Sequence, residues 1–350
     1  MQPTVSRRTL LSIAGLASAG LTLSGCVGGA ASPGGASSSA ATTTLHLVGF
    51  AVPKEANNAA QAAFARTDAG KGVVWQESYG ASGDQSRAVV NGLAADYVNF
   101  SLEGDVTRLV DAGLVDATWK SGPTKGIVSD SVVVIVVPKG NPKNITGWAD
   151  LVKPGIRIVT PNPASSGSAR WNILAAYQQV ISQGGTEAQA EEYLTSFFQN
   201  VVALPGSGRD ATNAFLQGTA DVLISYENEA ILARQSGETF EYLVPDNTLL
   251  IENPGAVTKT ANPTAQAYLD FVLSPAGQVE FAKKGFRPVL SGVKVPEVPG
   301  ANDPKNPYPT PAKLFTINDD LGGWSAVNKK FFADATGLVP KIQQKTGKTK

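Results

Sequence analysis

The chain has 350 residues, with 29 lysines and arginines against 29 aspartates and glutamates, and it carries one histidine and one cysteine. The charges balance, and the sequence shows neither the basic stripe of a nucleic-acid binder nor the polybasic patch of a membrane-surface protein. A lone cysteine and a lone histidine exclude an internal disulfide and an ordinary Cys/His zinc centre.

The chain begins with Arg7 and Arg8, then an uncharged apolar or small stretch, Leu10–Leu23, closed by Leu23-Ser24-Gly25-Cys26. This stretch is too short and wrongly flanked for a transmembrane helix, and it has the plan of an export signal. Its last four residues resemble the lipobox of bacterial lipoproteins, after which the signal is cut and Cys26 is acylated. Ser6-Arg7-Arg8-Thr9-Leu10-Leu11 resembles the twin-arginine motif, without the usual basic residue after the apolar pair. Residues 1–26 are thus expected to direct export, with the twin-arginine route as one reading and a lipid anchor at Cys26. Loss of the signal removes two arginines and leaves two more acids than bases. Residues 27–43 are small and polar, without aromatics, and read as a flexible linker.

The roughly 300 residues that follow exceed one typical core and predict two lobes. Short apolar runs predict strands at Leu45–Phe50, Val73–Gln76, Val132–Val137, Ile156–Val159, Asp221–Ser225 and Tyr242–Val244. Between them, Val89, Val90 and Leu93, and then Trp171, Leu174, Tyr177 and Ile181, recur with helical spacing. Alternating strands and helices predict an α/β fold with largely parallel or mixed sheets, and ligands at the carboxyl ends of the strands.

Three predicted helix starts carry small hydroxyl and glycine residues: Ser82-Gly83-Asp84-Gln85, Ser166-Gly167-Ser168-Ala169 and Ser207-Gly208-Arg209-Asp210. The first fits a capping box, with Ser82 at the N-cap. Each start exposes unpaired N–H groups at the positive end of a dipole, where an anion binds without a contacting lysine or arginine. Any one of them reads first as an ordinary cap rather than a site; only their recurrence opens the anion reading. His46 falls in the first strand and reads as a packed or half-exposed residue. Asp84, Asp96, Asp105 and Asp210 are scattered, mostly at predicted helix ends where acids are commonplace. The tail Thr346-Gly347-Lys348-Thr349 is read as solvated, since Ile342 replaces the first glycine of a phosphate loop and no helix follows.

Tyr79-Gly80-Ala81-Ser82-Gly83 resembles the first anion loop of periplasmic sulfate-binding proteins. Lys139–Lys143 with Trp148-Ala149-Asp150-Leu151 resembles their central segment. Thr160–Asn172, the stretch after Arg209, Asp221–Ala230, and Phe315-Thr316-Ile317 with Gly322-Gly323-Trp324 correspond as well. The resemblance runs from about Leu45 to about Phe332. It implies a type II periplasmic-binding-protein fold: two lobes, a hinge and an interlobe ligand cleft. Residues 44–130 plus 242–350 would form lobe one, and 131–241 lobe two.

The resemblance further implies an extracytoplasmic, lipid-anchored and monomeric binding protein. It would deliver sulfate to the permease of an ABC importer with a separate ATPase, and would need no cofactor, metal or catalytic residue. The implied ligands are the backbone N–H groups of Ala51, Ser82, Gly167, Ser168 and Gly208 with the hydroxyls of Ser166 and Tyr226. Tyr226 stands where well-known members place a tryptophan. Arg170 and Arg209 would brace the anion loops from behind. Thiosulfate, molybdate and tungstate accept from the same donors and stay open as ligands. A secreted hydrolase using Ser82 or Ser166 is the reading of a different class; a chain with His46 as its one histidine speaks against it.

Overall fold

The computed structural model describes residues 42–349, so the expected signal, Cys26 and nearly all of the linker lie outside the described residues. Within them run the strands β1 (Thr43–Phe50), β2 (Val73–Gly80), β3 (Tyr97–Asn99), β4 (Ile127–Pro138), β5 (Ile158–Val159), β6 (Val201–Ala203), β7 (Val222–Tyr226), β8 (Phe240–Leu243), β9 (Asn247–Val257) and β10 (Lys313–Phe315). Their lateral order is β2-β1-β3-β9-β4-β7-β5-β6, with β10 beside β9 and β8 beside β4. Helix α1 (Lys54–Phe64) links β1 to β2, α2 (Ser82–Val90) follows β2, and α3 (Glu103–Asp111) follows β3. Helices α4 (Gly167–Ser182) and α5 (Glu187–Asn200) fill the space between β5 and β6. Then come α6 (Gly208–Leu216) before β7 and α7 (Glu227–Gln235) after it. Helices α8 (Thr264–Val272) and α9 (Pro275–Lys283) follow β9, and the short α10 (Ile317–Leu321), α11 (Gly323–Val327) and α12 (Leu338–Thr346) close the chain.

The parallel pairs β1–β2, β5–β6 and β5–β7 each need a crossover, and helices supply it. This is the expected α/β fold, with strands carrying their carboxyl ends toward the starts of α1, α2, α4, α6 and α7. The run Val132–Val137 lacks polar alternation because both of its faces are covered. Val133, Ile135 and Val137 join the large core that contains Trp171, while Val132, Val134 and Val136 pack with Phe215 and Phe240.

Two strands pass between the halves of the sheet. β4 pairs with β9 through Val132 and then with β7 and β8. β9 pairs in turn with β10, β4 and β3. β9 is not among the strands expected from the sequence, and Asn253-Pro254-Gly255 in its centre has the composition of a turn. Here Pro254 needs no ladder donor: its carbonyl accepts from the N–H of Phe100 at 3.0 Å and from Asn99 Nδ2 at 3.1 Å. Gly255 is demanded by packing, since a β-carbon there would lie 2.5 Å from the Tyr97 hydroxyl.

The last helices, in the stretch 242–350 that the resemblance places in lobe one, pack on α4 and α5. Trp324 meets Trp171 edge-on at 4.8 Å between ring centroids, and Phe331 meets Tyr177 likewise at 4.8 Å. Arg170 Nη1 donates to Asn328 Oδ1 at 3.1 Å. Trp171, Leu174 and Tyr177 were legible as a core face; the cover for that face comes from a part of the chain too distant for spacing to connect. Among the described residues no helix is long and apolar enough to cross a membrane.

Candidate functional site

Four helix starts converge beside the stretch where β4 pairs with β9. The N–H of Gly83 in α2 donates to the carbonyl of Ser165, just before α4, at 3.2 Å. A β-carbon on Gly167 would lie 2.5 Å from Ser101 Oγ and 2.8 Å from Leu102 Cγ. One on Gly208 would lie 2.9 Å from Ser168 Oγ and 3.1 Å from Val52 Cγ2, beside the start of α1. Glycine at these two positions is what lets the backbones of α4 and α6 come so near the opposing residues. Tyr226, at the carboxyl end of β7, reaches the same place: its hydroxyl lies 2.8 Å from Ser101 Oγ.

The hydrogen-bond accounting singles out this place. Ser82, Ser166, Ser168 and Tyr226 are each at most 3 % exposed, and Gly167 and Gly208 are buried. Among the described residues, the N–H groups of Ser82, Gly167, Ser168 and Gly208 have no protein partner. Buried, unpaired N–H groups are rare in folded proteins, and four together at the positive ends of α2, α4 and α6 form a donor set for an anion. Ser166 is the N-cap of α4, yet its hydroxyl makes no capping bond. Ser207, before α6, does cap its helix and accepts from the N–H of Asp210 at 3.2 Å.

Two sequence readings change. The capping box at Ser82 is absent: Ala81 is the N-cap, Ser82 already lies inside α2, and Gln85 accepts from Ser78 Oγ instead. The Ser82 hydroxyl donates to Asp105 Oδ2 at 2.6 Å and accepts from the N–H of Ser101 at 2.9 Å. Ala51 is the one implied backbone donor already engaged, its N–H bonding the Gly80 carbonyl at 2.9 Å as the β1–β2 ladder continues. The next N–H, that of the buried Val52, has no protein partner among the described residues.

The arginines sit behind these loops. Arg170 Nε donates to the Pro163 carbonyl at 3.2 Å, and its guanidinium stacks over Phe332 at 4.8 Å. Burial draws its pKa below the usual arginine value. Arg209 makes a bidentate bond to Glu229, at 2.9 and 2.7 Å, and reaches the Val52 carbonyl at 3.3 Å. Burial lowers the pKa of Arg209, but the charge and bonds of Glu229 outweigh it and the net shift is upward. The Tyr226 phenol is pushed well above its usual range by burial, partly offset by bonding with Ser101, Ser168 and Asn253. His46 is held elsewhere, with Nδ1 2.9 Å from Asp96 Oδ2, and neither Ser82 nor Ser166 bonds to it.

Sequence reasoning missed Ser101, Asp105 and Asn253 as site residues. Asp105 was seen, as one of several helix-end acids. Ser101 had the signal of a strand end before an acidic helix start, in Val98-Asn99-Phe100-Ser101-Leu102-Glu103. Asn253 lay inside the apparent turn of β9.

A family model, bacterial extracellular solute-binding protein, matches residues 45–287. The sulfate-binding protein of Synechococcus elongatus is 41 % identical, with 98 % of this chain and 99 % of that protein covered. The chain belongs to the bacterial extracellular solute-binding proteins, in the sulfate-binding family. The solved sulfate-binding protein SubI of Mycobacterium tuberculosis is similar at 45 % identity and a TM-score of 0.78, covering 83 % of this chain and all of that one. A thiosulfate-binding protein of Pseudomonas aeruginosa is 34 % identical over 83 % of this chain and 87 % of its own length. A periplasmic thiamin-binding protein, 17 % identical, shares the fold alone, with a TM-score of 0.62 over 82 % of this chain and 94 % of its own. The expected type II periplasmic-binding-protein architecture thus holds, and the relatives in this family are binding proteins.

Proposed function

We propose that this chain captures sulfate outside the cell and delivers it to the membrane permease of an ABC importer, catalysing no reaction itself. The observation that carries this reading is the set of unpaired N–H groups on Ser82, Gly167, Ser168 and Gly208 around the idle hydroxyl of Ser166. Val52 adds a fifth such group, Ala51 takes part only as a shared donor, and Tyr226 supplies a hydroxyl. Sulfate at neutral pH is fully ionised and only accepts hydrogen bonds, so a site built of donors suits it. A phosphate bears a proton that needs an acceptor; left buried and unpaired it costs ~1–3 kcal/mol or more. Arg170 and Arg209 act from behind, holding the Pro163 and Val52 carbonyls and so the loops that aim the donors.

The lobes are proposed as residues 44–130 with 242–315, and 131–241 joined by the C-terminal helices that pack on α4 and α5. Sulfate binding between them closes the hinge formed by β4 and β9. Cys26 carries the lipid that holds a monomeric protein at the outer face of the cell membrane; a Cys26→Ser chain that still fractionates with membranes and takes up lipid label would rule the anchor out.

Calorimetric titration with sulfate, thiosulfate, molybdate, tungstate and phosphate at neutral pH tests the function. Sulfate is expected to bind, and phosphate in large excess not to compete. Comparable phosphate affinity would show an acceptor in the site and overturn the donor assignment. Thiosulfate is the second ligand in view, because a thiosulfate-binding relative matches at 34 % identity.

A further inference from the structure

Ser101 holds a place that the set of donors does not explain. It is fully buried, and its carbonyl is gripped by two N–H donors from different elements: Trp171 Nε1 of α4 at 3.0 Å and Asn253 Nδ2 of β9 at 3.2 Å. Its own N–H is fixed on Ser82 Oγ at 2.9 Å. With both backbone groups committed, Ser101 Oγ is set 2.8 Å from the Tyr226 hydroxyl and against the backbone of Gly167.

Either oxygen of that pair can be the donor, and the two choices present different groups to an anion. A phenol has one proton and can also accept. If Tyr226 gave its proton to Ser101, its oxygen would face the anion with lone pairs, in a site that otherwise presents donors. If Ser101 gives its proton to Tyr226, the tyrosine proton is released from Ser101 and can point at the anion, with Asn253 Oδ1 the competing acceptor beside it. The Asn253 amide, close to the same hydroxyl, has its Nδ2 committed to the Ser101 carbonyl while its Oδ1 has no protein partner.

We infer that Ser101 is a positioning residue that sets the direction of the Tyr226 proton, so that the pair presents one donor and no acceptor to the bound oxyanion. Ser101 thereby helps to exclude ligands that carry a proton of their own. This rests on the sulfate reading of the site and goes beyond it by naming the residue that fixes the polarity of its least conventional donor. Ser101 acts through Tyr226, and the Ser101 effect vanishes when the phenol hydroxyl is gone.

The test is a double-mutant cycle on the full chain, read by calorimetry with sulfate and by competition with phosphate at neutral pH. Ser101→Ala is expected to weaken sulfate binding about tenfold, as loss of an oriented hydrogen bond to a charged partner does. In a Tyr226→Phe background the same change is expected to cost less than about twofold, because contacting residues couple and the phenol is the intermediary. Phosphate is expected to begin to compete in Ser101→Ala, as the released phenol oxygen becomes able to accept. Ser101→Cys, whose thiol is a much weaker donor, is expected to behave as Ser101→Ala and serves if the alanine variant melts early. Additive losses, or unchanged exclusion of phosphate in both Ser101 variants, would overturn the inference while leaving the sulfate reading intact. A wild-type chain that binds no sulfate overturns the sulfate reading, and this inference with it.

Discussion

Helices α4 and α5 are neighbours in sequence, yet their starts are finished in opposite ways. Thr186 caps α5 in full: its hydroxyl accepts from the N–H of Gln189 at 3.3 Å, and Gln189 Oε1 accepts from the N–H of Thr186 at 2.8 Å. That start is exposed, so water serves its remaining donors. Ser166 stands in the same position before α4, is 3 % exposed, and caps nothing. A hydroxyl at an N-cap therefore does not by itself reveal its role. Burial, together with a hydroxyl that leaves its own helix unserved, is what sets the start of α4 apart and supports the proposal that it binds an anion.

The sharpest way to break this comparison is at Gly167. A β-carbon there meets Ser101 Oγ at 2.5 Å and Ser101 Cβ at 2.7 Å. Overpacking of that kind costs ~1–3 kcal/mol, so Gly167→Ala should lower sulfate affinity by up to about 100-fold. Calorimetry checks this, and retention of wild-type affinity would mean that α4 need not approach so closely.

A pair of substitutions then separates the two starts. Ser166→Ala should weaken sulfate by ~10–100-fold, as a hydrogen bond to a charged partner contributes ~1.5–3 kcal/mol, with little change in the melting of the unliganded protein. Thr186→Ala should do the reverse: stability falls by ~1 kcal/mol for the lost cap, and sulfate affinity stays as it was. If both variants lose stability and neither loses affinity, Ser166 is an ordinary cap after all.

The smallest expected effect is a null one. Tyr226 is the one ionisable side chain among the implied donors, and burial raises its pKa above the ordinary phenol range. A raised pKa keeps the donating proton in place as pH rises, so sulfate affinity should stay level from pH 7 to pH 10, where an ordinary exposed phenol is about half ionised. A fall in affinity that begins near pH 9 and is absent in Tyr226→Phe would show that the phenol is not raised.

What the sequence made legible follows the range of the interactions. Strands β1, β2 and β4 and the starts of α4 and α6 rest on local pattern, and residues such as Val132–Val137 and Ser166-Gly167-Ser168 announce them. β9 was not among the expected strands, and the turn composition of Asn253-Pro254-Gly255 is overridden by the Phe100 and Asn99 donors that satisfy the Pro254 carbonyl. The resemblance named Ala51, Ser82, Ser166, Gly167, Ser168, Gly208 and Tyr226; the structure brings the last six together and commits the N–H of Ala51 to the Gly80 carbonyl. Ser101 and Asp105 act through partners on other elements, and no spacing in a single sequence records such contacts. The capping box predicted at Ser82 failed for the same reason: Asp105 in α3 outcompetes the local helix start for its hydroxyl.

Unpaired backbone N–H groups at three helix starts are proposed to hold the anion, and substitutions other than to proline leave those groups in place. Amide proton shifts in a sulfate titration followed by NMR reach them directly. The N–H resonances of Ser82, Gly167, Ser168 and Gly208 should move downfield together and saturate with the calorimetric affinity, while Gln189 at the capped start of α5 stays still. Saturation by sulfate without movement of the four site amides would contradict the claim.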